Sequence, residues 1–251
     1  MNWQLKVDMG PNSAYHRYSS DEQRLIDQRI EYQDHISNQI DSDLVLSVTN
    51  TGVFVSLPTL KNPYFLRLDE GELGRRVAQG SETLCRVTGA SRGRVVSIYD
   101  ATAGLCREAH LMASCGALVS ASERSLPLYL IAKEALCRAS SSVKLSYQDS
   151  SQITVNPHVI YLDPMFPKSL KKAAVGKEAV LLRAFAQRSD LATENNLLEW
   201  ALDSARCRVV VKRPLKAIHF GDRQPTASVR GKAIRFDIYG KTKLPKSDQS
   251  E

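Results

Sequence analysis

The sequence predicts an α/β protein built on a mostly parallel, doubly wound β-sheet, with a smaller α+β part before it. Two observations indicate this fold. From residue 94 onward, short apolar runs typical of buried strands alternate with helical patterns, an order that favours parallel strands joined by helices. Before residue 92 a helix and a hairpin come first, and no such alternation is visible.

The N-terminal region, residues 1–91, is expected to be α+β. Its helix has a capping-box start, and the turn TNTG joins two apolar runs into a β-hairpin. The predicted elements are a helix at 19–36, hairpin strands at 44–48 and 53–57, a third short apolar run at 64–68 and a helix at 69–79.

The second region, residues 92–251, is expected to form the Rossmann-like domain with the doubly wound sheet. Apolar runs alternate with amphipathic stretches throughout it. Strands are predicted at 94–99, 117–122, 143–147, 158–162 and 207–212, helices at 101–116, 125–139, 176–188 and 193–205, and a terminal antiparallel hairpin of 216–220 with 234–240.

Composition excludes several classes of protein. The chain has 251 residues, of which 43% are apolar and 24% are charged, as in globular proteins. We see neither a run of about 20 apolar residues nor a signal peptide, so no membrane association and a cytoplasmic location are expected. The five cysteines form no CxxC pair, which argues against a metal site and a disulfide framework.

Charge is unevenly distributed along the chain. Residues 1–91 contain 9 Lys/Arg and 12 Asp/Glu, whereas residues 92–251 contain 25 and 15. Basic clusters at 168–172, 206–216 and 230–235 would suit a polyanion such as nucleic acid. A merely solvated basic face would produce the same pattern.

Four acids are expected at one edge of the sheet. Asp100, Glu123, Asp149 and Asp163 stand at or just past the ends of predicted strands. The carboxyl ends of parallel strands share an edge, which is where doubly wound sheets bind their ligands. We therefore predict a binding site there.

The turn after the first strand of this region favours one cofactor class. DATAGLCRE (100–108) resembles a glycine-rich nucleotide loop but keeps only Gly104, which suits pyrophosphate poorly. Glu123 is spaced to accept hydrogen bonds from ribose hydroxyls, although an ordinary exposed glutamate would fit that position as well. A ribose-binding acid beside a glycine-poor loop favours S-adenosylmethionine (SAM) over NAD.

Five motifs resemble those of a bacterial enzyme family. They lie in order between residues 94 and 240 and read DATAGLCREAHLMAS, SERS, VIYLDPMFP, VVVKRP and RFDIY. They resemble the ribosomal RNA small subunit methyltransferase J family, which methylates the exocyclic N2 amine of a guanine in 16S ribosomal RNA. The resemblance implies a class I, Rossmann-like methyltransferase fold, SAM as cofactor, and 16S ribosomal RNA or the small ribosomal subunit as partner.

The resemblance also implies which residues bind the cofactor. They are Asp100, Ala101, Thr102, Ala103, Gly104, Arg107, Glu108, Glu123, Arg124, Asp149 and Asp163. Where the family has a further glycine in the loop, this chain has Cys106, whose side chain is expected to project toward the methionine end of the cofactor.

By analogy with the D-P-P-Y type motifs of amino-group methyltransferases, Asp163, Pro164 and Phe166 are the implied catalytic residues. The lone pair of a guanine amine is delocalised into the ring, and acceptors on both N–H groups favour a geometry in which the nitrogen can attack. Asp163 and the Pro164 carbonyl would be these acceptors, with Phe166 stacked on the flipped base. Alternatively, Asp163 caps a turn and Phe166 belongs to the core.

Basic residues near this motif are expected to contact RNA. Lys168, Lys212 and Arg213 are the candidates for neutralising phosphates. For Lys212 an alternative stays open, namely an ion pair with an acid on the rim of the sheet.

Two other functions remain to be distinguished from methylation. In the first alternative, the chain keeps the fold and RNA binding but its catalysis is impaired or changed; retention of Asp163, Pro164 and Phe166 argues against this. A nicotinamide-dependent or other small-molecule enzyme is disfavoured by the glycine-poor loop, the basic half and the aromatic turn.

Overall fold

The structure is a computed structural model of the chain. It describes residues 3–35, 45–56, 61–79, 83–164, 181–182, 185 and 191–246. Two candidate residues, Phe166 and Lys168, and most of the helix expected at 176–188 lie outside these ranges.

A mostly parallel sheet forms the larger part of the fold, as the sequence predicts. Its seven strands within the described ranges have the order β6-β5-β4-β7-β8-β10-β9. The strands are β4 (Ser97–Asp100), β5 (Leu118–Glu123), β6 (Lys144–Tyr147), β7 (Val159–Leu162), β8 (Arg208–Pro214), β9 (Ala227–Arg230) and β10 (Ile234–Gly240). The first five are mutually parallel, and β10 is antiparallel to both β8 and β9. The α/β fold class and the antiparallel end of the sheet are thereby confirmed.

Six α-helices have bounds within the described ranges, three before and three within this part. They are α1 (Ser20–His35), α2 (Gly71–Gln79), α3 (Thr83–Thr88), α4 (Arg107–Ser114), α5 (Leu126–Arg138) and α6 (Leu191–Ser204). Both α4 and α5 connect neighbouring parallel strands, the arrangement that a crossover connection requires. Pro127 lies in the first turn of α5. The N–H groups of a first turn have no partner within the helix, so the N–H that proline lacks costs no hydrogen bond.

The smaller sheet contains the predicted hairpin. Strands β2 (Val45–Thr49) and β3 (Gly52–Ser56) pair antiparallel, and their outermost predicted residues, 44 and 57, lie outside the described ranges. A further strand, β1 (Gln4–Val7), pairs parallel with β2 and was not predicted. It is only four residues long, too short for its alternation to be recognised.

Two apolar runs behave differently from the sequence-based expectation. The run 216–220 was expected to pair with 234–240, but β9 takes that place. The carbonyl of Ile218 instead accepts hydrogen bonds from the Arg213 guanidinium, and the carbonyls of Pro214 and Leu215 accept from Arg235. In the run 64–68, only Tyr64 pairs with a strand, at Val55.

Apolar side chains cover both faces of the larger sheet. Successive residues of β7 enter different clusters: Val159 and Tyr161 belong to one, Ile160 and Leu162 to the other. Burial on both faces explains why this strand is a continuous apolar run without alternation. The first cluster also contains residues from before position 92, such as Leu46, so the boundary at residue 92 stays a prediction from composition.

A buried ion pair stabilises the antiparallel end of the sheet. Asp237 on β10 is fully buried, and its two oxygens accept from the Arg235 guanidinium at 2.9 and 3.0 Å. Ser228 on β9 donates to the same carboxylate at 2.6 Å. Burial alone would raise the pKa of Asp237, but these hydrogen bonds hold it below its usual value.

We expect Asp237→Ala to lower the free energy of unfolding by about 3–5 kcal/mol, because it leaves the Arg235 guanidinium buried without its carboxylate. Chemical denaturation followed by circular dichroism measures the change. The double variant Arg235→Met/Asp237→Leu removes both charges and should be less destabilised than Asp237→Ala. Equal stability of Asp237→Ala and the wild type would contradict this account of the pair.

Candidate active site

A cavity of about 380 Å³ lies at the carboxyl ends of β4, β5 and β7. It is at the place where the strand order reverses direction around β4, the usual ligand position in open α/β sheets. Twelve predicted site residues line it: Asp100, Ala101, Thr102, Ala103, Gly104, Arg107, Glu108, Glu123, Arg124, Asp149, Asp163 and Pro164. The site predicted from the strand ends is thus one contiguous pocket.

The loop between β4 and α4 is held by the neighbouring strand. The Ala103 N–H donates to the Ser122 carbonyl at 3.2 Å, and the Gly104 N–H donates to Glu123 at 2.8 Å. Gly104 has a φ of 52°, a left-handed conformation that glycine adopts without strain. The single glycine of the loop therefore stands where the backbone turns toward the carboxylate of Glu123.

Cys106 differs from the expectation. Its φ is 56°, which explains why a glycine would suit this position. The side chain is fully buried in the larger apolar cluster and is not among the residues lining the cavity. Cys106 therefore does not project toward a ligand, and burial raises the pKa of its thiol well above the usual value.

Glu123 connects the two loops that border the cavity. One oxygen accepts from the Gly104 N–H and the other from the Ser125 N–H, at 2.8 and 2.7 Å. Burial raises its pKa, although these bonds oppose the shift. Each carboxylate oxygen has a second lone pair, so Glu123 can hold the loops and still accept a hydrogen bond from a ligand.

Asp100 is a buried acid at the floor of the cavity. It is 2% exposed and accepts a hydrogen bond from the Thr102 N–H at 3.1 Å. Burial, and then the negative charges of Glu108, Asp163 and Glu123, raise its pKa well above the usual value. So many acids in one pocket favour a ligand that brings positive charge.

Asp149 lines the cavity and also bonds to neighbouring residues of the protein. It caps the 3-10 helix Ser150–Gln152 by accepting from the N–H and hydroxyl of Ser151 at 3.0 and 2.7 Å. Arg124 lies 3.6 Å from its other oxygen. These contacts fix the carboxylate at the edge of the pocket and hold its pKa below the usual value, even though burial acts the other way.

An ion-pair cluster, Glu108–Lys212–Asp163, closes one side of the cavity. The Lys212 ammonium donates to Asp163 Oδ2 and to Glu108 Oε1, each at 2.7 Å. The Asp163 N–H donates to the Thr102 hydroxyl at 2.6 Å, which ties the end of β7 to the loop after β4. Asp163 is therefore held at both its backbone and its side chain.

Burial and the charges of the cluster shift the pKa values of its three members. Burial raises the pKa of Asp163 to about 6, with Glu108 adding to the shift and Lys212 opposing it. Burial also acts on Glu108, but the ammonium of Lys212 brings its pKa below the usual value. The two carboxylates raise the pKa of Lys212, so this side chain stays charged.

The two predicted phosphate-binding residues on β8 have other partners. Lys212 forms the rim ion pairs, the alternative that the sequence left open. Arg213 is 3% exposed; its guanidinium donates twice to the Ile218 carbonyl and lies 5.5 Å from the centre of the Phe220 ring. The expected phosphate role of Arg213 is corrected accordingly, because alternate residues of a strand face opposite sides and this one points into the interior.

Sequence reasoning missed several residues of the cavity. Ser122 and Ser150 share a hydrogen bond beneath it, and the Ser150 hydroxyl donates to the Ala101 carbonyl at 2.6 Å. On the other side, α6 contributes Thr193, Asn196 and Leu197. Small polar residues on a distant helix have no motif, so no sequence signal identifies them.

Within the ranges that the structure describes, no His, Cys, Asp and Glu side chains are grouped in a way that would hold a metal ion. None of the described helices combines the length and the apolar character needed to cross a membrane.

One solved structure is similar to this chain in fold. A SAM-dependent methyltransferase from Neisseria gonorrhoeae superposes with a TM-score of 0.65 at 20% identity, covering 99% of this chain and 97% of that one. At this identity the likeness concerns the fold alone, and it supports a class I methyltransferase architecture.

Comparison with other sequences identifies the family. Residues 35–241 match the family model of SAM-dependent methyltransferases. The ribosomal RNA small subunit methyltransferase J of Alcanivorax borkumensis is 37% identical over 71% of this chain and 76% of its own length. The protein of that name from Cellvibrio japonicus is 34% identical over 82% and 86%. This chain therefore belongs to the ribosomal RNA small subunit methyltransferase J family of SAM-dependent methyltransferases.

Proposed function

We propose that this protein transfers a methyl group from SAM to the exocyclic N2 amine of a guanine in 16S ribosomal RNA, in the cytoplasm. The observation that carries the proposal is the position of Asp163 and Pro164, which lie at the wall of the cavity that the cofactor-binding loops enclose. The names of the relatives support the choice of small-subunit RNA as substrate.

The residues of the cavity fit SAM. When bound, SAM supplies a methyl group made electrophilic by its sulfonium. The buried carboxylate of Asp100, with Glu108 and Glu123 nearby, favours a ligand that carries an ammonium and a sulfonium. Glu123 would hold the ribose hydroxyls, and Asp149 and Arg124 would border the adenine end, with residues 101–104 lining the cavity beside them.

Asp163 would activate the amine. Lys212 occupies its Oδ2, and no group in the described part of the chain donates to Oδ1. An N–H of the guanine amine can therefore donate to Oδ1 while the other N–H donates to the Pro164 carbonyl. The bonds strengthen as the nitrogen gains positive charge in the transition state, so their contribution is to the rate.

Two residues of the proposal lie outside the described ranges. Phe166 stays the proposed stacking partner of the flipped guanine, and Lys168 the proposed phosphate contact. Both follow Pro164 closely in sequence, which is the ground for these two proposals.

Asp163→Ala is expected to lower the rate of methyl transfer about 10²–10³-fold while leaving the affinity for S-adenosylhomocysteine nearly unchanged, because the carboxylate acts on the amine. Asp163→Asn keeps one carbonyl acceptor and should retain more activity. Tritium transfer from labelled SAM to under-methylated small subunits measures the rate, and calorimetry measures the affinity.

A matched control is Asp203→Asn, which changes an exposed aspartate of α6. Its rate should equal that of the wild type. Near wild-type transfer by Asp163→Ala would refute the role of this carboxylate, and transfer to a different atom of the RNA, mapped by mass spectrometry, would refute the proposed product.

The single-turnover rate should depend on pH through Asp163. Its pKa of about 6 means that the acid is neutral below this pH, and a neutral acid is a weaker acceptor. The rate should therefore fall about tenfold per pH unit below pH ~6 and become constant above it. In Asp163→Asn this dependence should be absent, and an unaltered profile in that variant would assign the titration to another group.

Glu123→Ala should weaken binding of S-adenosylhomocysteine about 10- to 100-fold, because the ribose hydroxyls lose a charged acceptor and the Gly104 N–H loses its partner. Calorimetry and the ligand-induced rise in melting temperature both report the loss. Glu72→Ala, at an exposed position of α2, is the control and should bind as the wild type does. Unchanged affinity of Glu123→Ala would remove this residue from the ribose site.

A further inference from the structure

Lys212 stands beside the proposed acceptor because of the register of two parallel strands. Leu162, the last residue of β7, is paired with Val211 of β8, so Asp163, which follows β7, and Lys212 of β8 come to the same edge of the sheet. The Lys212 side chain is 23% exposed, and those of Asp163 and Glu108 are 25% and 23% exposed. The three charges form a partly enclosed cluster, in which ion pairs are stronger than on an open surface.

We infer that Lys212 is a positioning residue of the active site, which orients the Asp163 carboxylate and keeps it ionised for the guanine amine. This inference rests on the proposed function, since it assigns Lys212 a part in the same reaction. It replaces the expectation that Lys212 contacts RNA phosphate.

Orientation follows from the two contacts of the ammonium. Lys212 donates to Oδ2 of Asp163, which leaves Oδ1 available to a ligand, and its second bond holds the ammonium to Glu108 on α4. The Lys212 side chain thereby links the end of β7 to the first turn of α4. Of the three N–H donors of the Lys212 ammonium, two are engaged in bonds of 2.7 Å to charged oxygens.

Ionisation follows from the charges that face Asp163. Glu108 on α4 and Asp100 on β4 are negative neighbours, and Lys212 on β8 is the cation in contact with it. Arg76 on α2 acts on Glu108. Without Lys212, Asp163 would share the edge of the cavity with two other acids and would take up a proton at a higher pH.

The test measures Asp163 directly and needs no substrate. Protein labelled with ¹³C at the aspartate carboxyl carbons is titrated by NMR, and the Asp163 signal is identified by its loss in Asp163→Asn. Lys212→Met removes the charge and keeps the length of the side chain. Glu108→Gln removes the competing carboxylate, and Lys216→Met removes an exposed charge from the same segment as a matched control.

Opposite shifts are expected from the first two variants. In Lys212→Met the midpoint of Asp163 should rise by about 1–3 pH units, because an opposite charge in contact is lost. In Glu108→Gln it should fall, because Lys212 then serves Asp163 alone. In Lys216→Met it should not move. An unmoved midpoint in Lys212→Met would overturn the inference; if that variant fails to fold, an unmoved or raised midpoint in Glu108→Gln would do so.

Methyl transfer then separates this inference from the proposed function. In Lys212→Met, kcat should fall and its pH midpoint should rise with that of Asp163, so that part of the activity returns at high pH, and Lys212→Arg should restore much of it. A change in KM and salt dependence alone, with an unmoved pH midpoint, would instead indicate a phosphate contact and overturn the inference. If the wild type transfers no methyl group to guanine, the proposed function fails, while the NMR titration still decides the role of Lys212.

Discussion

The parallel pairing of β4, β5, β7 and β8 is the constraint on which the site depends. Parallel strands end at one edge, so a residue placed after each strand meets the residues placed after the others, however far apart they are in sequence. Asp100, Glu123 and Asp163 come together in this way, and Lys212 joins them from β8. The sheet thus concentrates charge at its carboxyl edge before any ligand is considered.

Repulsion among the acids at this edge destabilises their charged forms, and the protein reduces this repulsion in two ways. Backbone N–H groups bind part of the charge: Glu123 accepts from Gly104 and Ser125. Lys212 binds another part, since one ammonium serves both Glu108 and Asp163. Asp100 keeps a raised pKa, because burial and the neighbouring acids outweigh its one hydrogen bond from the Thr102 N–H. The acids at this edge of the sheet are therefore linked through shared hydrogen-bond and ion-pair partners.

Much of the fold and of the cavity could be predicted from the sequence, because strand-to-helix alternation and acids after strands are local signals. The cofactor loop and the acid positions were found that way. Contacts between distant segments have no such signal. The burial of Arg213 depends on where the Ile218 carbonyl lies, and the partner of β10 is decided by the path of residues 214–226. The alternatives for Lys212 could only be separated by the register of β7 against β8.

The N-terminal region, residues 1–91, contributes charge near the cavity, although its sequence shows no catalytic motif. Helix α2 packs against α4, the helix that begins at the cofactor loop, and the positive charge of Arg76 on α2 helps to lower the pKa of Glu108. Glu108 in turn shares Lys212 with Asp163. Arg76 therefore adds to the positive charge that acts on Glu108, of which Lys212 supplies the larger part. The region before residue 92 thus contributes positive charge beside the cavity, which composition and charge counts alone would not indicate.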